Sequence, residues 1–337
     1  MPFEDKVYGS IAELVGSTPL VELHGLEREL GLGARVLAKL EYFDPSGSVK
    51  DRIALGMIEG AEAAGTLHPG DTILDFTSGN TGISFAAICN ARGYRFVSVI
   101  QPGVSEERSQ ILKAYGAELL QFSDIPGVPE LMANEGLVFE KFFALLKAYA
   151  DAHGYVYLNQ GVSLDNPLSH YRTTGPEIWR ATGGNVDGLV ALVGTAGTLV
   201  GTAGTLVGTG KYLREQNPDL LLVGAQPALE SRKDPAHPER NTIDGVVPFV
   251  GVPQGRMPLY LDRMNVHPDE VLDLDADEAY AMGRTLTRTD GIFLGQSAAA
   301  AVLAAAKLAQ RPEMAGKTIV AICADNAFKY LSTNIYR

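Results

Sequence analysis

The sequence predicts an α/β fold in which parallel strands are covered by helices on both faces. Short runs rich in β-branched residues alternate with longer helical patterns along the 337 residues, and this alternation is typical of parallel sheets. At roughly 100–200 residues per domain, the length corresponds to two domains or to one large α/β unit. Loops rich in Gly, Ser and Thr follow several predicted strands, which is where sheets of this kind bind ligands.

The strands and helices are predicted from hydrophobic periodicity. The predicted strands are Val36–Leu40, Thr72–Phe76, Arg95–Ile100, Leu119–Phe122, Gly188–Val193, Leu220–Ala225 and Thr318–Cys323. Helices between them are exemplified by Arg52–Ala64, Thr81–Arg92, Glu107–Tyr115 and Phe139–Ala152. A domain boundary is expected near Ala152–Asn159, and the Pro- and Gly-rich segment Gln226–Arg256 is expected to be a long functional loop.

Composition argues against several classes of protein. The hydrophobic share of 46% suffices for a sizeable core, and the net charge of −12 comes without the Lys/Arg cluster of a nucleic-acid binder. No apolar run approaches the roughly 18 residues of a membrane span, and the polar N-terminus lacks a signal core. We therefore expect a cytoplasmic protein. Cys89 and Cys323 lie in apolar runs and are expected to be buried thiols without a disulfide.

The first candidate for chemistry is a lysine behind a Gly/Ser turn, in the run Pro45-Ser46-Gly47-Ser48-Val49-Lys50-Asp51-Arg52. At the start of a helix, Lys50 can project its amine into a cleft. A buried amine loses its proton more readily and can form a Schiff base with an aldehyde. The alternative is a surface lysine at a helix start, with Asp51 paired to Arg52. Taken alone, the run favours this alternative.

A second candidate is the run TSGNTG, Thr77–Gly82, which directly follows the predicted strand Thr72–Phe76. Hydroxyls and free backbone N–H groups at a helix N-terminus form an anion site that suits a carboxylate or a phosphate. The alternative is an ordinary capping turn, although this many consecutive small or polar residues exceed what a cap needs.

A tandem repeat follows the predicted strand Gly188–Val193: residues 194–200 read GTAGTLV, and residues 201–207 repeat them unchanged. Seven residues are close to two helical turns, so the duplication is expected to lengthen the start of one helix. The first copy offers a phosphate cup made of Gly194, Thr195, Ala196, Gly197 and Thr198. Two anion cups in one chain indicate a ligand with a phosphate and a partner with a carboxylate.

The run Gly295-Gln296-Ser297 precedes an Ala-rich helical pattern. Ser297 is expected to be the N-cap of this helix, and its hydroxyl could also contact a ring nitrogen. Because a hydroxyl is neutral, it would leave such a nitrogen largely unprotonated.

Together, these motifs resemble the cysteine synthase and cystathionine β-synthase family. The resemblance covers nearly the whole chain in order, and the combination of SVKDR, TSGNTG and TTGPEIW is highly specific. It implies the tryptophan-synthase-β-like fold, with two open, twisted parallel-sheet domains and helices on both faces, and pyridoxal phosphate as the cofactor. The matching segments are residues 10–22, 38–54, 75–84, 105–117, 166–179, 194–213 and 327–333.

The resemblance also implies a division into domains. Residues 42–155 would form a smaller domain with the substrate loop, and residues 1–41 plus 156–337 a larger domain that binds the phosphate of the cofactor. No nucleotide- or heme-binding extension is seen in the sequence, which favours the cysteine synthase side of the family. A homodimer is implied, and no metal is expected.

The resemblance assigns roles to individual residues by their position in the matching motifs. The Schiff-base lysine falls on Lys50, the contact to the 3′-oxygen of the cofactor on Asn80, and the ring-nitrogen partner on Ser297. The residues expected to bind the substrate carboxylate are Thr77, Ser78, Gly79, Thr81 and Gln160. The phosphate cup falls on the first repeat copy, 194–198, because that copy directly follows the strand. Counting back from the helix around Lys211 would select residues 201–205 instead.

The sequence departs from the family pattern at three places. After Gln160 it reads GVSLD, at 161–165, where the family has Phe followed by an Asn-Pro pair, so a more open pocket floor is expected. Ala196 replaces a glycine of the phosphate loop. The loop 243–248, which contains Gly245, resembles the branch of the family that accepts O-phosphoserine, where an arginine at the spacing of Arg240 binds the phosphate. The alternative is a solvated Arg240 paired with Glu239 or Asp244.

The activity implied is β-replacement on O-acetylserine or O-phosphoserine with sulfide or a related nucleophile. It would give L-cysteine through an aminoacrylate intermediate, with Lys50 as general base. One alternative is a synthase of another β-substituted alanine, such as a diaminopropionate-type amino acid. A catalytically silent regulatory relative is a second alternative, against which the intact Lys50, Asn80 and Ser297 argue. A Rossmann dehydrogenase is disfavoured because its glycine fingerprint is lacking.

Overall fold

The computed structural model describes residues 5–101, 106–193, 195–196, 200–201, 203–248 and 259–337. The strands are β1 (Leu20–Glu22), β2 (Arg35–Leu40), β3 (Thr72–Phe76), β4 (Arg95–Ile100), β5 (Glu118–Gln121), β6 (Val156–Tyr157), β7 (Gly188–Leu192), β8 (Thr195–Ala196), β9 (Val200–Gly201), β10 (Leu221–Pro227), β11 (Glu270–Leu274) and β12 (Thr318–Cys323). The α-helices are α1 (His24–Leu30), α2 (Lys50–Ala63), α3 (Asn80–Arg92), α4 (Glu106–Ala114), α5 (Val128–Asn134), α6 (Phe139–His153), α7 (Asp165–Arg172), α8 (Thr174–Ala181), α9 (Gly204–Gln216), α10 (Leu259–Met264), α11 (Ala276–Thr289) and α12 (Gln296–Ala309). Short 3-10 helices lie at Ile11–Leu14, Glu41–Phe43, Phe122–Asp124, Leu229–Ser231, Pro312–Met314 and Ala327–Tyr330.

The smaller sheet has four strands in the order β5-β4-β3-β6, and every pair is parallel. Because side chains alternate along a strand, neighbouring residues of β3 enter different cores. Ile73 packs with α2 and α3, whereas Leu74 packs with α5 and α6. Helices therefore cover both faces of this sheet, as the sequence predicts.

The larger sheet has six strands in the order β1-β2-β12-β7-β10-β11. All neighbours are parallel except β1, which pairs antiparallel with β2 at the edge. Val190 of β7 packs against the core of α1, α11 and α12, and Leu189 against the core of α8, α9 and α10. The predicted fold class is thus confirmed, with one antiparallel edge strand added.

The predicted strands agree with the structure in existence and, within one or two residues, in extent. The sequence analysis missed β1, β6 and β11, together with the two-residue strands β8 and β9. The strands β1 and β6 are too short for a period-2 pattern, and β11 lies at the sheet edge, with Glu270 and Asp273 interrupting its apolar residues.

Further expectations concern the cysteines, the long loop, membrane-spanning helices and the domain boundary. Cys89 and Cys323 are both buried free thiols, as predicted. In the expected long loop, residues 228–248 contain one 3-10 turn, and 249–256 lie outside the described residues. Among the described helices, none has the length and apolar character required to cross a membrane. The strand β6 pairs within the smaller sheet just beyond the boundary predicted at residue 155.

Candidate active site

Three loops meet where strands of the two sheets end. Ser48, in the turn before α2, forms an isolated antiparallel bridge with Asp325, just after β12. Leu294, before α12, forms another with Asn326. These bridges hold Lys50, the first residue of α2, beside the start of α12 and the end of the central strand.

The side-chain amine of Lys50 is the candidate nucleophile of the site. Burial lowers the pKa of Lys50, while the charges of Asp325 and Glu41 act in the opposite direction. The amine has no hydrogen-bond partner among the residues that the structure describes. An amine that is buried and uncommitted is suited to form a Schiff base.

Asn80, the first residue of α3, is held from both ends of its side-chain amide. Its Nδ2 donates to Asp325 Oδ2 at 2.8 Å, and its Oδ1 accepts from Lys329 Nζ at 2.9 Å. Tyr330 OH donates to the same carboxylate oxygen at 2.6 Å. Asp325 Oδ1 is buried without a described partner. No role was predicted for Asp325 or for Lys329, although Lys329 lies in the matching segment 327–333, because their partners are distant in the sequence.

The loop between β3 and α3 presents unused hydroxyls. Thr77, Ser78 and Thr81 are buried, and none of their hydroxyls hydrogen-bonds to a described residue. Gly79 is the N-cap of α3, and a Cβ added to it would meet open space. The loop therefore has the donors and the room that a carboxylate requires.

Gln160 lies against the end of β3, directly before this loop. Its backbone N–H donates to Asp75 Oδ2 at 3.0 Å, and its Nε2 donates to Phe76 O at 3.1 Å. Tyr260 OH donates to Gln160 O at 2.8 Å, and Asn166 Nδ2 donates to the same oxygen at 2.9 Å. Burial raises the pKa of Asp75 to about 7, although backbone N–H donors such as that of Gln160 act in the opposite direction.

Ser297 lies one residue further into the helix than predicted. The N-cap of α12 is Gly295, so the expectation that Ser297 is the N-cap is wrong. An extended backbone at Gly295 turns the chain into the helix, which leaves Ser297 at the second helical position. It is partly buried, and its hydroxyl makes no hydrogen bond to a described residue. The hydroxyl is thus available to a ligand.

The loop around Gly245 attaches beside Ser297. Asp244 N donates to Gln296 Oε1 at 2.8 Å, and Val247 N donates to Val193 O at 3.3 Å. Gly245 thus lies between the start of α12 and the end of β7.

Arg240 is exposed on the approach to this loop. Neither of the ion pairs that sequence analysis weighed for it occurs among the described residues. Asp244 instead lies 3.0 Å from Lys233 Nζ and 3.7 Å from Arg108 Nη2, and Glu239 Oε1 lies 3.3 Å from His237 Nδ1.

The described residues of the first repeat copy do not belong to the helix that follows the repeat. The strand β8 in the first copy pairs antiparallel with β9, which reaches the first residue of the second copy. The helix α9 begins at Gly204, so the expected helix start at the first copy is wrong. The second copy runs directly into the rest of α9. In that helix, Gly208 lies against α7 and Leu213 packs in the core. Of the predicted phosphate cup, Gly194, Gly197 and Thr198 lie outside the described residues.

A buried histidine is attached to the first turn of α9. His170 Nε2 lies 3.1 Å from Thr205 Oγ1, and its Nδ1 lies 2.9 Å from Thr174 Oγ1. Burial, reinforced by the charges of Arg52 and Lys50, holds the pKa of His170 well below its usual value. The imidazole is therefore neutral and can both donate and accept a hydrogen bond.

A buried ion network anchors α2 behind Lys50. Arg52 Nε donates to Glu41 at 2.6 Å, and Arg52 Nη2 donates to Glu177 at 2.7 Å. Lys39 Nζ also donates to Glu177, at 2.7 Å. The pairing of Asp51 with Arg52, considered from the sequence, is not found, because Asp51 accepts from Ser46 N at 2.6 Å.

Comparison with known proteins identifies the class of protein. Residues 11–325 match the family described as pyridoxal-phosphate dependent enzyme, and the chain belongs to that family. It is 38% identical to cysteine synthase B of Pseudomonas aeruginosa, with 98% of each chain covered.

Two solved structures are similar over nearly the full length of this chain. A crystal structure of O-ureido-L-serine synthase matches with a TM-score of 0.80 and 34% identity, covering 98% of this chain and 96% of the other. O-acetyl serine sulfhydrylase isoform 3 from Entamoeba histolytica matches with a TM-score of 0.79 and 34% identity, covering 98% and 92%. These matches bear out the resemblance on which the sequence analysis depends.

The arrangement of residues fits pyridoxal phosphate. The uncommitted amine of Lys50 can take up its aldehyde carbon, and the hydroxyl of Ser297 is free to face a ring nitrogen. Asn80, whose amide is fixed in one orientation, has one N–H left over for an oxygen acceptor. The start of α9 supplies backbone N–H groups of the kind that bind phosphate.

Proposed function

We propose that this chain makes L-cysteine by β-replacement on O-acetylserine or O-phosphoserine. Sulfide adds to Cβ, and acetate or phosphate leaves with the electron pair of the Cβ–O bond. The observation that carries the proposal is the uncommitted amine of Lys50 in a turn that Asp325 joins to α3, next to the free hydroxyls of Thr77, Ser78 and Thr81 at the start of that helix. Similarity to proteins named cysteine synthase and O-acetyl serine sulfhydrylase supports the same reaction.

The residues that act on the substrate have two roles, which are binding of its carboxylate and transfer of its Cα proton. Thr77, Ser78 and Thr81 donate to the substrate carboxylate, and Gln160 supports the loop from the side. Bound pyridoxal phosphate supplies an electron sink, which makes the Cα proton of an attached amino acid acidic and allows the β-substituent to leave. Lys50 Nζ takes the proton from Cα and later returns it, and burial, which lowers its pKa, favours the unprotonated amine that this role requires.

The remaining residues act on the cofactor. Ser297 Oγ would be the neutral partner of the ring nitrogen, and Asn80 Nδ2 would donate to the 3′-oxygen. We place the phosphate at the first turn of α9, in the second repeat copy, because the helix begins there. The first copy, 194–198, was expected from the sequence on the basis of a helix start that the structure does not have.

A second candidate is the synthesis of another β-substituted alanine. It is favoured by the similarity to O-ureido-L-serine synthase and by the departure from the family pattern at residues 161–165. In that reaction a different nucleophile, such as hydroxyurea for an O-ureido product, adds to the same Cβ.

The test is a visible spectrum of the purified protein before and after adding O-acetylserine, O-phosphoserine and serine separately. The true donor changes the cofactor spectrum without a nucleophile, and sulfide then restores it with release of cysteine. Restoration by hydroxyurea but not by sulfide would favour the second candidate. A colourless protein, or one that no donor affects, would contradict both and favour a regulatory relative.

One variant separates the two donors. If Arg240 binds the phosphate of O-phosphoserine, Arg240→Ala lowers kcat/KM for that donor about tenfold or more, since a lost charged hydrogen bond costs about 1.5–3 kcal/mol. Activity with O-acetylserine stays near that of the parent. Arg288→Ala, at an exposed position of α11, is the matched control. An equal loss with both donors would exclude Arg240 as a phosphate-binding residue.

We further propose, from the family resemblance, that the protein is a cytoplasmic homodimer. Large apolar side chains exposed on the single chain, such as Leu229 at 74% and Phe328 at 70%, are available for an interface. Light scattering during size-exclusion chromatography measures the assembly directly, and a monomer at micromolar concentration would contradict this proposal.

A further inference from the structure

A second lysine amine lies close to the candidate cofactor site. Lys329, in the 3-10 turn Ala327–Tyr330, donates from Nζ to Asn80 Oδ1 at 2.9 Å and to Ser46 O at 3.2 Å. The residue is partly buried, and the proposed reaction makes no use of it. Burial lowers the pKa of Lys329, while the charges of Asp325 and Asp51 act in the opposite direction.

The two partners of Asn80 have opposite charges, and this fixes its amide in one orientation. Oδ1 faces the ammonium of Lys329, and Nδ2 faces the carboxylate of Asp325. A flipped amide would place N–H groups against the ammonium and the carbonyl oxygen against the carboxylate, so both contacts would become repulsive. Asp325 is itself held by Tyr330 OH at 2.6 Å and is bridged through its backbone to Ser48.

An amide nitrogen carries two hydrogens, and Asp325 takes one of them. The other is left for a ligand. Because Ser48 and Lys50 share the turn that is bridged to Asp325, this N–H lies in the same group of loops as the reactive amine. The cation of Lys329 is linked to a ligand at this N–H through the Asn80 amide, because it contacts Oδ1 of the same group.

We propose that Lys329 is a positioning residue, which fixes Asn80 toward the 3′-oxygen of bound pyridoxal phosphate and favours the ionised form of that oxygen. The proposal rests on the cofactor role of Asn80 under the proposed function. A nearby positive charge stabilises an oxygen anion in a site shielded from water. Lys329 also balances the buried carboxylates of Asp325 and Asp51.

Other charges surround this position and must be held constant. Asp325 follows β12, Asp51 and Lys50 belong to α2, and Arg108 belongs to α4. Asp51 accepts hydrogen bonds from the backbone N–H and the hydroxyl of Ser46, whose carbonyl oxygen accepts from Lys329. Substitutions confined to residue 329 leave all four charges in place.

The experiment compares three variants of the holoenzyme that change the charge and the hydrogen bond separately. Lys329→Arg keeps both the charge and the donor, Lys329→Gln keeps a donor without the charge, and Lys329→Met removes both. Lys307→Met is the control, because Lys307 on α12 pairs with Glu278 at the surface, at 2.6 Å. The measurements are the absorption spectrum of the bound cofactor across pH and its retention during dialysis.

Lys329→Arg and Lys307→Met keep the spectrum of the parent. Lys329→Gln and Lys329→Met shift the cofactor toward the form with a neutral 3′-oxygen, reducing the ratio of visible to near-ultraviolet bands about tenfold, as expected for loss of a charged contact. Lys329→Met also loses cofactor faster than Lys329→Gln, since Asn80 is then held from one side only.

Unchanged spectra in Lys329→Gln and Lys329→Met at every pH would overturn the proposal. If Lys329→Met does not fold, the comparison of Lys329→Gln with Lys329→Arg decides, and equal spectra of these two overturn it. A parent protein that takes up no pyridoxal phosphate would contradict the proposed function and with it this inference. A parent with cofactor and unshifted variants contradicts the role of Lys329 alone.

Discussion

At the scale of single residues, Asp75 shows how a buried carboxylate supports the candidate site. It is the fourth residue of β3, 1% exposed, and its Oδ2 accepts from Gln160 N at 3.0 Å. This contact joins the strand before the Thr77–Thr81 loop to the segment that carries Gln160. The cost of this arrangement is a carboxylate removed from water, whose pKa burial raises to about 7.

The raised pKa predicts a dependence of stability on pH. Between about pH 4, the pKa of an unfolded aspartate, and about pH 7, folded Asp75 holds a proton that the unfolded chain lacks. Its contribution to stability is therefore present at low pH and is lost as the pH rises through this window. Asp75→Asn does not titrate, so the melting temperature of the parent minus that of the variant falls by about 2 °C per pH unit there.

Differential scanning calorimetry at several pH values measures this difference. Asp219→Asn, at an exposed position, is the control and leaves the pH profile of the parent unchanged. Parallel profiles for the parent and Asp75→Asn would show that Asp75 does not titrate in this range.

At the scale of elements, the helix α9 depends on its glycines and on His170. A Cβ at Gly204 would lie 2.2 Å from Asn166 Oδ1, and one at Gly208 would lie 2.0 Å from Pro167 O. These glycines, four residues apart, allow α9 to approach α7 closely. His170, on α7, then reaches Thr205 in the first turn of α9. The approach of the two helices thus sets where the helix N-terminus points.

If the start of α9 holds the phosphate, the two repeat copies respond differently to the same substitution. Thr205→Val removes a hydroxyl that can donate to the phosphate while it accepts from His170, and it weakens cofactor binding about tenfold or more. Thr198→Val, the same change in the first copy, has a smaller effect, and Thr205→Ser restores binding. Equilibrium dialysis of pyridoxal phosphate against the apoproteins ranks them. The reverse order would move the phosphate to the first copy.

At the scale of the whole molecule, two ion links of different kinds join the parts built on the two sheets. The buried link runs from Arg52 on α2 to Glu177 on α8, at 2.7 Å, with both side chains almost wholly shielded from water. The exposed link runs from Arg108 on α4 to Asp244 at 3.7 Å, with side chains 32% and 22% exposed. Breaking a buried pair leaves an uncompensated charge, whereas an exposed pair contributes little.

The two links therefore differ in their effect on stability. Although burial alone would raise it, Arg52 and Lys39 lower the pKa of Glu177 to about 2. Glu177→Gln lowers the free energy of unfolding by about 3–5 kcal/mol at neutral pH. Its matched control, Asp244→Asn, changes it by less than about 1 kcal/mol. Chemical denaturation of both variants measures the difference.

The lowered pKa of Glu177 also determines how its contribution to stability changes with pH. The stabilisation by Glu177 is present above the pKa of about 4.3 of an unfolded glutamate and is lost as the pH falls toward about 2. The effect of Glu177→Gln should therefore shrink in acid. If Glu177→Gln lowered the free energy of unfolding by the same amount at every pH, the charge of Glu177 would not contribute to stability.

Local sequence patterns suffice to predict the fold class, most of the strands and the loops of the candidate site. Strands such as Gly188–Leu192 and Thr318–Cys323 are buried on both faces, so their nearly continuous apolar runs appear in the local sequence. Lys50 and the Thr77–Gly82 loop are recognisable because Gly, Ser and Thr cluster where a strand gives way to a helix. Such signals extend over a few neighbouring residues and do not require knowledge of distant contacts.

The residues that support these loops become apparent only from contacts in the folded chain. Lys329 and Asn80 are separated by 249 positions, Gln160 and Asp75 by 85, and each pair is joined by one hydrogen bond. The start of α9 likewise depended on packing against α7, because the two repeat copies are identical in sequence. Side-chain contacts between distant segments form only when both sheets are in place, and no local pattern in the chain encodes them.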